Sequence, residues 1–179
     1  MEYIVICLVS FLGSGLTLFS GFGLGTLLTP VFAIFFPIEI AIGMTAVVHF
    51  LNNIFKSLLL GKHANKRLVL KFGIPSLLAA FAGAWVLTYI SDMPVLFTYV
   101  IDHWVFAVTP VKLTIAVLLF YFALAEVLPS FTRFSFKKEH FVLGGLLSGF
   151  FGGLSGNQGA LRTAFLMKAN LRKEQFIAT

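Results

Sequence analysis

Ser20-Gly21-Phe22-Gly23-Leu24-Gly25 interrupts a long apolar stretch, and Ser155-Gly156-Asn157-Gln158-Gly159 interrupts another far downstream. Each break sits between a helix-length apolar run and a shorter apolar piece. Tyr3 to Phe19 precedes the first break and Thr26 to Phe36 follows it; Phe141 to Leu154 precedes the second, and a short piece ending at Ala169 follows. The copies align: Ser20-Gly21 with Ser155-Gly156, then, after a one-residue slip, Gly25 with Gly159, Leu27 with Leu161, Thr29 with Thr163 and Thr45 with Thr179. Pro37 closes the first short piece. This shared order of helix, break and short helix marks an internal repeat, and it organises the rest of the reading.

Composition decides what the helices are for. Of 179 residues 59% are hydrophobic and only 11% charged, whereas a soluble domain carries about 25% charged residues to clothe its surface. Disorder is excluded, since it needs low hydrophobicity and high charge. The surplus apolar surface has to face lipid, so the chain is polytopic in a membrane. The thirteen bases against seven acids sit in short loops rather than among exposed aromatics, which excludes a nucleic-acid partner. A single cysteine, Cys7, leaves no disulfide framework and no CxxC metal site. Met1-Glu2-Tyr3 lacks the basic start of a signal peptide. Spanning strands alternate polar and apolar residues over about ten positions, and these runs are apolar all round. The fold class is therefore all-α, with spans expected at 38–60, 68–90 and 113–128.

Loop charge orients the bundle. Lys62, Lys66, Arg67 and Lys71, then Arg133, Lys137 and Lys138, then Lys168, Arg172 and Lys173 fall in three regions, against Lys112 alone in the connection 91–112. Those three regions are cytoplasmic and 91–112 is external, where Phe97, Tyr99, Trp104 and Phe106 suit the headgroup level. The short pieces reach only about half to two-thirds of the bilayer at 1.5 Å per residue, so each break reads as the tip of a hairpin. The first hairpin then starts and ends outside, the second inside. Inverted repeats with broken helices are the architecture of many secondary transporters, with the substrate site between the breaks.

Gly21-Phe22-Gly23-Leu24-Gly25 through Pro30, followed by Ala41-Ile42-Gly43-Met44-Thr45, resembles the first half of the TauE/SafE family of sulfite and organosulfonate exporters. Gly144-Gly145-Leu146-Leu147-Ser148-Gly149-Phe150 through Ser155-Gly156-Asn157-Gln158-Gly159 is similar to the start of that family's second half, although the family is commonly richer in glycine where Asn157-Gln158 stand. The resemblance covers nearly the whole chain. It implies a multi-pass permease of the cell membrane, the bacterial inner membrane, that carries a small anion and needs no cofactor. Residues 1–128 form the first repeat, with hairpin 3–36, and 141–179 begin the second. The family continues beyond the equivalent of Thr179, and repeat logic leaves about 70–100 residues unaccounted for; a fragment or truncated frame is expected, with a completing second chain as the alternative.

Two constellations carry the chemistry. Thr45, His49, Asn52, Asn53 and Lys56 recur at spacings of three and four and are read as one helical face. Such a polar face within a span turns to a cavity or to the bundle interior; the competing reading has Lys56 snorkel to the headgroups and the others bond between helices. The second set is Ser155, Gly156, Asn157, Gln158, Gly159 and Arg162, where a break followed by a helix offers backbone N–H groups and a positive dipole end. Arg162 could grip two oxygens of a sulfite or sulfonate, or form a structural ion pair. Ser20, Gly21, Gly23, Gly25 and Thr26 are the uncharged counterpart at the first break. His49 titrates near neutrality and is the weaker candidate for a coupling proton. Glu126, near the inner end of its span, is read as reaching the interface.

A carrier for a small sulfur-containing anion, working by alternating access, is the leading reading, and an anion channel the runner-up. An intramembrane enzyme would need a catalytic motif such as GxSxG or HExxH, and the chain has neither. A non-transporting membrane subunit remains the third reading, separable by free substitution of Arg162 and the polar face.

Overall fold

The computed structural model describes residues 2–20, 24–128, 140–169 and 171–179. Helices α1 (Glu2–Ser20) and α2 (Leu24–Phe35) flank the first break, so that Gly21 and Gly23 lie outside the described residues. Three helices follow: α3 (Ile38–Leu60), α4 (Lys66–Ser91) and α5 (Pro110–Val127). Their lengths and apolar composition suffice to cross a membrane. The second break separates α6 (Phe141–Ser155) from α7 (Gly159–Leu166), and a short α8 (Lys173–Ala178) ends the chain.

The helical bundle is as expected, with one addition. The connection 91–112 folds into a two-stranded hairpin, β1 (Phe97–Ile101) against β2 (Trp104–Val108), antiparallel from Phe97↔Val108 to Ile101↔Trp104. Its β-branched and aromatic residues favour a pleated ribbon, and Asp102, at φ 54°, supplies the left-handed turn that a two-residue hairpin loop needs. Tyr99 and Phe106, directly opposite each other, stack at 5.3 Å. The argument against sheet applied to spanning strands, and this ribbon connects two long apolar helices, α4 and α5.

Packing fixes the directions of the hairpins. Ile6 joins Leu24, Leu28, Phe32 and Ala41 in one buried cluster, and Thr17 bonds to Asn52. The separation along the chain is the same for Ile6 with Ala41 as for Thr17 with Asn52, so α1 runs parallel to α3. Gly13 of α1 rests on the ends of Leu24 and Leu28, so α2 folds back along α1. On the other side, Gly145, Gly149 and Gly153 face the Phe72, Ser76 and Ala80 carbonyls in turn, which makes α6 parallel to α4. Gly144 lies against the Phe165 ring and Gly152 against Gln158, so α7 folds back along α6. Since α3 ends where α4 begins, the two hairpins enter from opposite ends of the bundle.

The α4–α6 contact is the most extensive in the fold. Small residues every fourth position let two membrane helices approach backbone to backbone, the usual source of helix affinity where lipid removes the hydrophobic drive. A π-helical turn over Val69–Gly73 lies at the inner end of α4, beside Gly145. A second core cluster, Ile42, Leu87, Val111, Ile115 and Leu154, ties α3, α4, α5 and α6 together nearer the outer end.

Candidate functional site

The two hairpins overlap at their breaks. Gly156 takes φ +73°, a left-handed conformation that glycine adopts without strain, and this ends α6. Gly25, in the first turn of α2, packs directly on it: a methyl group at Gly25 would lie 2.7 Å from the Gly156 carbonyl oxygen and 3.0 Å from Asn157 Cα. Gly156 in turn faces Thr29 and Ile42. The described part of the first hinge and the whole of the second are thus in contact inside the bundle, not at opposite ends of it.

Polar side chains line this junction. The Thr29 hydroxyl donates to Thr45 at 3.2 Å, both residues fully buried. The Asn52 amide donates to the Thr17 hydroxyl at 2.9 Å. Ser155 donates to the Phe151 carbonyl at 2.7 Å, and Ser148 to the Gln158 carbonyl at 3.3 Å. Asn157 Oδ1 accepts from the Gly159 N–H at 3.1 Å. One of the first-turn N–H groups of α7, which the sequence assigned to a ligand, is therefore used inside the protein. The Asn157 amide nitrogen, His49 Nε2 and the Thr163 hydroxyl are buried with no hydrogen-bond partner among the described residues. An unmade bond at a buried polar atom costs about 1–3 kcal/mol, so such atoms mark places that a guest can satisfy.

Charge is concentrated on one side of the junction. Lys56 is only 7% exposed, which favours the interior reading of that residue. Lys56 and Arg162 both lie within electrostatic reach of His49, and Arg162 within reach of Lys56. Three nitrogen-bearing side chains from α3 and α7 thus share one buried region.

Not every residue of the expected set belongs here. Thr45, Asn52 and Lys56 are buried and His49 is half-buried, whereas Asn53 is exposed. One residue is a turn of about 100° around a helix, so Asn53 points away from the face that holds Asn52. Thr26 is engaged elsewhere, its hydroxyl donating to Glu126 Oε2 at 2.9 Å. That bond also corrects the reading of Glu126 as an interfacial residue: one of its oxygens is held on the first hinge and the other is buried. Ser20 closes α1 next to the first break. Thr17, Thr29 and Ser148 are junction residues outside the expected site set, although Thr29 stands in the repeat register and Ser148 in the family motif; a hydroxyl in a membrane helix facing another polar position was the available signal. Asn52 also borders a groove of about 600 Å³ between α1 and α3, lined by Phe11, Leu12, Leu16 and Phe55, whose walls offer little to an anion.

A search of curated proteins and of solved structures gives no match. The family described as Sulfite exporter TauE/SafE matches over residues 6–179, nearly the whole chain and both hairpins, so this chain, with its two opposed helix breaks and buried cationic region, belongs to the TauE/SafE family of membrane exporters.

Proposed function

We propose that the chain moves a small sulfur-containing anion, sulfite or an organosulfonate, across the membrane by alternating access around the junction of the two breaks. The observation that carries this reading is the chemistry of the buried set. Lys56, Arg162 and the Asn157 amide nitrogen are donors, two of them cationic, and His49 and Thr163 can donate as well. Such a set has little to give a cation. An anion with three oxygens would satisfy several of these donors together, and the planar guanidinium of Arg162 suits two of its oxygens. The short helices α2 and α7 add their positive ends from opposite directions. Binding energy then depends on residues from α3 and from the second hairpin, so a shift of that hairpin against α3 changes affinity. That is the property a carrier needs.

The test is flux of radiolabelled sulfite into proteoliposomes. Arg162→Ala and Asn52→Ala are each expected to lower flux at least about tenfold, in line with the loss of a buried charged or polar partner, with insertion and monodispersity intact. Unchanged flux in both variants would discard the proposed site.

A further inference from the structure

The buried donors leave one feature of the junction unused. Glu126 lies one residue from the inner end of α5, and its side chain reaches not the interface but the first hinge, where Thr26 donates to Oε2 at 2.9 Å. Its second oxygen, Oε1, is buried and has no hydrogen-bond partner among the described residues. The elements packed against α5 offer few charges in return. Helices α2 and α6 carry no titratable residue, α7 carries Arg162 alone, and α4 carries Lys66, Arg67 and Lys71 in its inner turns and Tyr89 near its outer end. On α5 itself stand Tyr121 and, at the outer end, Lys112. Among the described residues none of these forms an ion pair with Glu126.

A carboxylate in a span, held by a hydroxyl but by no cation among the described residues, changes charge by taking up a proton rather than by exchanging partners. Thr26 follows Gly25, which packs on Gly156 and Asn157. The contacts run without a gap from Glu126 through Thr26 and Gly25 to the second hinge. We propose that Glu126 is the proton-binding residue of the exporter, and that its charge state biases the first hinge through Thr26. Ionised, the carboxylate only accepts, and it holds the Thr26 hydroxyl as a donor. When a proton from water binds Oε1, an O–H bond forms and the charge beside the hinge falls to zero. Release of that proton to water breaks the bond and restores the latch. The cycle needs no redox partner. This proposal rests on the carrier reading and makes Glu126, rather than His49, the site of coupling.

Two measurements on the purified chain test it. In proteoliposomes, a pH gradient is expected to accelerate wild-type flux of radiolabelled sulfite, and Glu126→Gln to lose that acceleration by about tenfold or more, the scale of a typical coupling free energy. The same variant should retain sulfite–sulfite exchange at equal pH within about twofold, because exchange needs hinge motion but no net proton transfer. A gradient response unchanged in Glu126→Gln overturns the proposal, and so does loss of exchange together with gradient-driven flux, which would make Glu126 merely structural. Infrared difference spectra recorded against pH provide a readout without transport. A carboxylic C=O band that titrates in the wild type, is absent in Glu126→Gln and moves in Thr26→Val is expected; no such band overturns the proton site. Absence of sulfite flux in the wild type with the band present would count against the carrier reading alone.

Discussion

The first hairpin is held by side chains, the second by backbone. Leu24, Leu28 and Phe32 are almost fully buried and fill the space between α1, α2 and α3. Helix α6 instead lays Gly145, Gly149 and Gly153 on the carbonyls of α4, with no side chain between them. The polar groups differ in the same sense. Thr29 has Thr45 on the following helix. Thr163, aligned with it in the sequence, has a buried hydroxyl with no partner among the described residues, while Thr179, aligned with Thr45, accepts from the Asn65 N–H at 3.0 Å. Lys173–Ala178 form a six-residue helix packed against α3. Among the described residues the second hinge keeps buried donors without a partner, at Asn157 and Thr163, whereas Thr29 beside the first is paired.

The largest expected effect comes from the backbone contact. Gly149→Ala drives a methyl group into the Ser76 carbonyl, and is expected to destabilise the protein by about 1–3 kcal/mol. Gly43→Ala, with nothing within 4 Å of the added carbon, should lose nothing. Thermal unfolding in detergent compares the two. Equal stability would mean that α4 and α6 stand further apart than described.

A smaller effect separates the two threonines. Thr29→Val leaves the buried Thr45 hydroxyl without its partner and should cost about 1 kcal/mol. Thr163→Val removes a hydroxyl that pairs with no described residue, so the same measurement should give no loss or a slight gain. Similar losses at both positions would show that the hinges are satisfied alike, and the asymmetry would fall.

The smallest effect is expected outside the bundle. Asp102→Gly relieves a left-handed residue at the tip of the external ribbon and should stabilise the turn by less than about 1 kcal/mol. Sulfite flux should stay at the wild-type level. A fall in flux would tie the ribbon to the hinges, from which the fold separates it.

Much of this architecture was legible because its causes are local. Hydropathy marked each long apolar helix, and Pro37 and the Ser-Gly steps marked where helices stop. The polar face of α3 was legible to within one residue. Asn53 was included because spacings of three and four tolerate a neighbour, and only the rotation of α3 against α1 shows that it turns outward. The ribbon at 97–108 escaped because its residues also suit an interfacial stretch. Glu126 escaped because the end of a span next to a basic loop is the ordinary place for a charged side chain.

From its residues alone the chain is a helical membrane protein with interrupted helices, since apolar length and helix-stopping residues act over a few positions. Tertiary structure decided that Gly25 meets Gly156, that Lys56 turns inward and that Glu126 lies on Thr26. Those outcomes depend on how helices far apart in the chain rotate and approach one another. Small residues and hydrogen bonds between helices govern that approach in lipid, and they act only once the spans are side by side.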